Sequence, residues 1–313
     1  MLQVWAPKGV GEIRQGDDLA LVFLSTLGAT GRVLHDGDVV CVTSKVVSKA
    51  EGMARAGTRD DALPGETVRV VATRGATRIV RNLLGLTMAA AGIDNSNVAE
   101  GSILLLPRDP DATARRFRAT LRERIGVNAA VIVTDTAGRA WRDGQTDIAI
   151  GAAGLAVLES FAGQVDGYGN PLVVTAPAVA DELAGAAELA QGKLRARPFA
   201  VVSGRADLVL PAGEDGPGAA ALIRPEGADL FGYGAREAVV RALLGREEDR
   251  APFGTPATPE ELVAALAALG YDVADPSTHS FPADQRLAAL AFAFGWRLED
   301  VPGRGVRLHR ASP

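Results

Sequence analysis

Short apolar runs alternate with alanine-rich stretches along the first 245 residues. Runs of β-branched residues bounded by Gly, Pro, Asp or Asn are typical of strands, and apolar residues at about every third or fourth position are typical of helices. Asp17 is the expected cap of the first helix. Because the elements do not repeat as a regular strand–helix–strand series, we predict an α+β fold with mixed sheets and packed helices. The predicted strands span 38–43, 66–71, 102–106, 129–134, 171–175 and 199–202, and the predicted helices span 17–27, 111–125 and 180–191.

Prolines become frequent after this region, and three of them fall within residues 247–259. Such a segment is typical of a linker. We therefore predict a large domain at 1–246 and a small, mainly helical C-terminal module at 260–313. The helices of that module are expected in two apolar-periodic stretches, 259–269 and 282–294.

Composition and charge indicate which classes of binding partner to expect. The net charge of −5 provides no broad positive field, so a nucleic-acid polymer is not an expected partner and a small molecule is. No apolar stretch approaches the roughly 18 residues that span a bilayer, and the N-terminus lacks a signal-peptide pattern, so we expect a cytoplasmic protein without membrane contact. The single cysteine, Cys41, lies in an apolar run and is expected to pack as a small hydrophobe.

The familiar phosphate loops and zinc spacings are absent from the sequence. Of the 33 lysine and arginine residues only four are lysines, yet two of these, Lys45 and Lys49, fall within the segment 43–52 (TSKVVSKAEG). Ammonium groups beside hydroxyls such as that of Ser44 suit phosphate oxygens. The alternative is an exposed strand end with solvated lysines.

Two further segments carry oxygen-rich side chains. The segment 92–98 (GIDNSNV) suits a hard cation such as Mg²⁺ or Mn²⁺, although an ordinary Asx turn has the same composition. In the segment 134–142 (TDTAGRAWR), a buried strand is expected to end at Asp135 and Thr136, which could hold a divalent ion. Arg139 and Arg142 could then pair with anionic groups of a substrate.

A fourth segment is the predicted helix 180–191. Taken alone, its periodicity indicates an amphipathic helix with an acidic, solvated face that ends at Gly192. Gln191 could nevertheless offer an amide oxygen to a metal, and Lys193 is the fourth of the rare lysines.

Taken together, the segments resemble the coenzyme F420 gamma-glutamyl ligase family over residues 5–245. The resemblance implies a GTP-dependent ligase that adds L-glutamate to coenzyme F420-0 and then adds further glutamates through gamma linkages. It also implies an intertwined α+β homodimer and a potassium requirement. The segments that carry it, in the family's order, are VGEI (10–13), TSKVVSKAEG (43–52), GIDNSNV (92–98), TDTAGRAWR (134–142), QTD (145–147), GNPL (169–172) and QG (191–192).

The same resemblance implies the site residues. About two Mg²⁺ or Mn²⁺ ions per subunit are expected, bound by Asp94, Asp135, Thr136 and Gln191. The residues after the linker are too few for the flavin-binding domain that some relatives carry, so no flavin is expected. Contacts to GTP are implied for Val10, Gly11, Glu12, Ile13, Ser44, Lys45, Lys49, Asn97, Leu189, Ala190, Gln191, Gly192, Lys193, Leu194, Arg195 and Ala196.

Amide formation from a carboxylate in water needs an activated acyl group, which GTP can supply as an acyl phosphate. We therefore expect Lys45, Lys49 and Asp135 to be catalytic, because electrostatic and positioning effects dominate phosphoryl transfer. Arg139 and Arg142 are expected to bind substrate carboxylates. The residue types alone also fit a metal-dependent phosphohydrolase, or a non-catalytic protein that binds a nucleotide or F420.

Overall fold

The structure is a computed structural model that describes residues 1–96 and 99–310. The chain forms two compact units. The first contains Met1–Val68 and Arg81–Ile223, and the second contains Arg69–Val80 and the residues from Arg224 onward. Among the described residues, no helix is both long enough and apolar enough to cross a membrane.

The strands and helices follow one another along both units. The strands are β1 (Gln3–Trp5), β2 (Val39–Thr43), β3 (Ala54–Ala56), β4 (Thr67–Arg74), β5 (Thr77–Asn82), β6 (Thr87–Ala89), β7 (Ser102–Leu104), β8 (Ala130–Arg139), β9 (Arg142–Ala153), β10 (Gln164–Val165), β11 (Pro171–Leu172), β12 (Phe199–Ser203), β13 (Trp296–Val301) and β14 (Gly305–Arg310). The helices are α1 (Leu19–Thr30), α2 (Ser44–Ala50), α3 (Arg59–Ala62), α4 (Pro110–Ile125), α5 (Val179–Gln191), α6 (Ala235–Leu244), α7 (Pro259–Ala268) and α8 (Gln285–Ala293).

A five-stranded mixed sheet in the order β1-β12-β2-β8-β9 forms the centre of the first unit. Strands β2 and β8 run parallel, and the other neighbouring pairs are antiparallel. Successive side chains of a strand point to opposite faces, so each face of this sheet has its own core. On one face Val40, Val131 and Val133 pack with Phe23 and Phe117, from α1 and α4.

The opposite face of the sheet packs against α5. Here Val39, Cys41 and Ile132 contact Leu183 in a second buried cluster. Cys41 is fully buried, which confirms the prediction that it packs as a small hydrophobe. Because three of the four neighbouring strand pairs in this mixed sheet are antiparallel and helices pack against it, the predicted α+β fold is confirmed.

Each strand and helix predicted for the first 245 residues overlaps an observed one. The cap of α1 was predicted one residue too early, because the carboxylate that accepts from the first helical N–H groups, of Ala20 and Leu21, belongs to Asp18. Asp17 instead accepts from the backbone N–H of Arg14. Adjacent aspartates have equal capping ability, so only the local backbone conformation separates them.

The largest difference from the predicted elements is the β8–β9 hairpin. Strand β8 does not end at residue 134 but continues to Arg139, and β9 was not predicted at all. A register shift between Val133 and Thr134 marks where the buried half of β8 meets its polar half. Asp135 and Thr136 therefore lie within a strand and not in the loop that follows one.

The second unit contains α6, α7, α8 and an antiparallel hairpin formed by β13 and β14. Its core includes Leu262, Phe281, Leu287, Trp296 and Leu308. The two predicted tail helices overlap α7 and α8, but the prediction of a mainly helical module omitted the hairpin. The predicted linker 247–259 lies within this unit and contains two short 3₁₀ turns, Glu247–Asp249 and Ala251–Phe253.

Candidate functional site

A cleft of about 850 Å³ opens on the first unit. Leu189, Ala190, Arg195, Arg139 and Arg142 do not line it, and Asn97 lies outside the described residues. The predicted site residues that do line it are Val10, Gly11, Glu12, Ile13, Ser44, Lys45, Lys49, Asp94, Asp135, Thr136, Gln191, Gly192, Lys193, Leu194 and Ala196.

The parallel pair β2 and β8 brings the first polar groups together. Thr43 lies opposite Thr134 in the register, so the residues that follow them, Ser44 and Asp135, reach the same edge of the sheet. The Ser44 hydroxyl donates to Asp135 Oδ1 at 2.5 Å. This contact joins residues that are 91 positions apart in the chain.

Asp94 also lines the cleft, in a turn held by its own side chain. Its Oδ1 accepts from the Ser96 N–H at 2.7 Å, which is the Asx-turn geometry that the composition allows. Its Oδ2 lies 2.6 Å from Lys45 Nζ. Burial opposes the charge of Asp94, but hydrogen bonds from Lys45 and Ser96 outweigh it and lower the pKa of this carboxyl. The same segment therefore forms an Asx turn and places the Asp94 carboxylate in the cleft.

Asp135 is in a less favourable environment for a charge. Burial raises its pKa to about 7 against the Ser44 hydrogen bond, and the negative charges of Asp147 and Asp94 raise it further. The charges of Asp94 and Asp147 thus act on Asp135 within the cleft. Such a group of interacting carboxylates favours any ligand that brings positive charge.

A family model described as F420-0:Gamma-glutamyl ligase matches residues 9–74 and 63–204 of the chain. The chain belongs to this family. A coenzyme F420:L-glutamate ligase of Methanothermobacter thermautotrophicus is 35% identical over 248 residues, which are 72% of this chain and 96% of the relative.

Two other relatives carry the same name. The one from Methanopyrus kandleri is 36% identical over 70% of this chain and 93% of its own length. The one from Haloarcula marismortui is 39% identical over 61% of this chain and 82% of its own length. The residues lining the cleft all lie between positions 10 and 198, within the part of the chain that the F420-0:gamma-glutamyl ligase model matches.

Two acidic residues that line the cleft were absent from the predicted site. Asp147 is buried in β9 opposite Thr136, and its two oxygens accept from the hydroxyls of Thr136 at 2.6 Å and Thr134 at 3.1 Å. Glu188 projects from α5 and accepts from the Asp147 N–H at 3.2 Å. The QTD segment contained the signal for Asp147, but without a predicted β9 nothing placed it opposite Thr136.

Two of the predicted lysines are already paired with acids in the cleft, besides Lys45. Lys193 Nζ contacts the Thr136 hydroxyl at 2.5 Å and Glu188 at 2.8 Å. Lys49 Nζ lies 2.5 Å from Glu12 of the predicted nucleotide-binding segment 10–13. Each of these lysines is therefore held at the cleft by a carboxylate.

The predicted metal ligands can be judged by which of their oxygen atoms are available to an ion. Gln191 is buried at the end of α5, and its Nε2 donates to the Pro198 carbonyl at 3.0 Å, which leaves its Oε1 as an acceptor. Among residues 1–96 and 99–310, no group of three or more His, Cys, Asp or Glu side chains is arranged to hold a metal. Two carboxylates, a hydroxyl and an amide are nevertheless the hard oxygen donors that suit Mg²⁺ or Mn²⁺. The donor chemistry therefore fits such an ion.

Proposed function

We propose that this chain is a GTP-dependent ligase that joins L-glutamate to coenzyme F420-0 and then adds further glutamates through gamma linkages. The observation that carries the proposal is the convergence of Asp94 and Asp135 with Lys45 and Lys49 in one cleft of a chain from this family. Two relatives that align with 72% and 70% of this chain are named coenzyme F420:L-glutamate ligase. We expect the protein to act in the cytoplasm.

The proposed chemistry proceeds in two steps. A carboxylate oxygen of F420-0 attacks the terminal phosphorus of GTP, so that an acyl phosphate forms and GDP leaves. The amine of glutamate then attacks the acyl carbon, a new amide bond forms, and inorganic phosphate leaves with the bonding electron pair. The released amine proton passes to solvent or to a carboxylate of the cleft.

The chain's own residues have electrostatic and positioning roles in these steps. Lys45 and Lys49 provide point charges for phosphate oxygens, and Ser44 fixes Asp135 through its hydrogen bond. Asp147 accepts from the Thr136 hydroxyl and so fixes the orientation of that side chain. Asp94, Asp135, Thr136 and Gln191 would hold about two Mg²⁺ or Mn²⁺ ions, which when bound neutralise phosphate charge.

The predicted substrate arginines have a different position. Arg139 and Arg142 are exposed on the β8–β9 hairpin, outside the cleft lining, and Arg139 donates to the Asp143 carbonyl at 2.9 Å. Their contact with substrate carboxylates, the homodimer and the potassium requirement are further parts of the proposal. Sedimentation of the purified chain and omission of K⁺ from the assay test the last two directly.

The decisive experiment combines purified chain, F420-0, GTP, MnCl₂ and glutamate, followed by mass spectrometry of the product. We expect a ladder of products separated by one glutamyl residue, and none when GTP or glutamate is omitted or when the metal is chelated. Phosphate release without glutamate incorporation would instead indicate a phosphohydrolase. Tight GTP binding without any GTP consumption would indicate a non-catalytic binding protein.

A further inference from the structure

Arg197 lines the cleft but was not among the predicted site residues. It lies one residue before Pro198, in the segment that connects α5 to β12. Its Nε is buried and has no hydrogen-bond partner. Within the described part of the chain, the Arg197 side chain makes neither an ion pair nor a hydrogen bond. A buried donor without a partner is costly, so native proteins seldom retain one without a reason.

The other cations of the cleft are engaged. Lys45, Lys49 and Lys193 pair with Asp94, Glu12 and Glu188, respectively. Arg59 donates to the Ile93 carbonyl and to the Asn95 side chain, each at 3.2 Å. Asp94, Glu12 and Glu188 therefore have cations of their own, and none of them pairs with Arg197.

The backbone around Arg197 is held in place from both sides. Ala196 has a φ of 49°, a left-handed conformation that is unfavourable for alanine and that persists where the surrounding structure enforces it. On the other side, the Pro198 carbonyl accepts from the Thr43 N–H and from Gln191 Nε2, both at 3.0 Å. Arg197 is thus fixed beside the start of α2, where Ser44 and Lys45 lie.

We propose that Arg197 binds a phosphate group of the nucleotide, and this inference rests on the proposed function. A guanidinium is a planar fork whose N–H groups match two oxygens of a phosphate, which a lysine cannot do. A carboxylate of the acyl acceptor offers the same pair of oxygens. The position beside Ser44 and Lys45, both predicted contacts of GTP, favours the phosphate.

The test is calorimetric titration of GTP, with Mg²⁺ present, into the full-length chain and its Arg197→Ala and Arg197→Lys variants. We expect the Kd for GTP to rise about ten- to hundredfold in Arg197→Ala, with a smaller rise in Arg197→Lys. Arg124→Ala is the matched control, because it removes the same charge from an exposed position on α4. Its Kd should equal that of the wild-type chain. Thermal melting identifies any variant that fails to fold, and Arg197→Gln then replaces Arg197→Ala.

The outcomes separate this inference from the proposed function. Equal GTP affinity in the wild-type chain and Arg197→Ala overturns the role of Arg197 alone. A wild-type chain that binds no GTP overturns the proposed function and this inference together. If GTP affinity is unchanged but KM for F420-0 rises, the guanidinium binds the acceptor's carboxylate and the phosphate assignment is wrong. A loss of affinity for GTP but not for GDP supports the inference and places the contact on the terminal phosphate.

Discussion

Two charged side chains of the first unit have opposite surroundings. Arg118 of α4 is 5% exposed, and its guanidinium donates to Asp215 Oδ1 at 2.9 Å and to Asn128 Oδ1 at 2.8 Å. It also donates to four backbone carbonyls, those of Ala129, Leu210, Pro211 and Glu214. Asp135, in contrast, accepts from Ser44 while two other carboxylates raise its pKa.

The difference separates a structural charge from a functional one. A buried ion that only holds the fold together is stable when all its hydrogen-bonding capacity is used inside the protein, as for Arg118. A charge that must receive a ligand keeps capacity unused and is less stable without that ligand. Replacing Arg118 should therefore mainly lower stability, and replacing Asp135 should mainly lower activity.

The largest effect is expected for Arg118→Met. Asp215 and the carbonyls around the guanidinium lose their donors, so the free energy of unfolding should fall by about 3–5 kcal/mol. Urea denaturation followed by circular dichroism measures this loss. Arg124→Met on the exposed face of the same helix is the control, and an equal loss in both variants would contradict the structural role of Arg118.

Asp135→Asn should have the next largest effect, this time on activity. Removing the carboxylate charge of Asp135 from the cleft should lower kcat/KM for glutamate addition roughly 100- to 1000-fold while the chain remains folded. The assay is the rate of product formation by mass spectrometry. Asp143→Asn, at the exposed tip of the same hairpin, should retain wild-type activity. Full activity in Asp135→Asn would remove this carboxylate from the mechanism.

A smaller effect is expected in the pH dependence of stability. The pKa of Asp135 is raised from 3.8 to about 7 in the folded chain, mainly by burial. Between these values the folded state binds the proton that the unfolded state has released, so stability falls as pH rises from about 4 to about 7. The difference in Tm between the wild-type chain and Asp135→Asn should change over this range. A difference independent of pH would mean that Asp135 does not titrate there.

The smallest effect concerns another side chain of the first unit, the buried Cys41. Burial, and to a lesser extent the charge of Asp147, raises the pKa of its thiol to about 12. The reactive thiolate is therefore scarce at pH 8, and alkylating reagents should leave the native chain unmodified. After denaturation one thiol per chain should react, as read by intact-mass measurement. Modification of the native chain at the same rate would show that β2 opens.

The cleft could be predicted from sequence to the extent that its residues belong to short local patterns. Lys45 and Lys49 lie within one five-residue stretch directly after an apolar strand, and Asp94 lies in a turn that its own side chain stabilises. Asp147 and Arg197 have no such pattern. Asp147 depends on β9, whose polar first half forms a strand only because it pairs with β8. Nothing in the sequence around Arg197 distinguishes it from an exposed arginine, and only the positions of the end of α5 and the start of β12 bring it to the cleft.

The sequence alone determined which chemical groups are available and which stretches can form strands and helices, because alternation and capping act between near neighbours. Tertiary structure decided that the charges of Asp94 and Asp147 act on Asp135, since parallel pairing of β2 with β8 and antiparallel pairing with β9 join distant segments. It also decided which of these carboxylates has a cation beside it. Lys45 lies 2.6 Å from Asp94 and helps to lower its pKa, whereas burial raises the pKa of Asp135, and both effects depend on packing rather than on spacing along the chain.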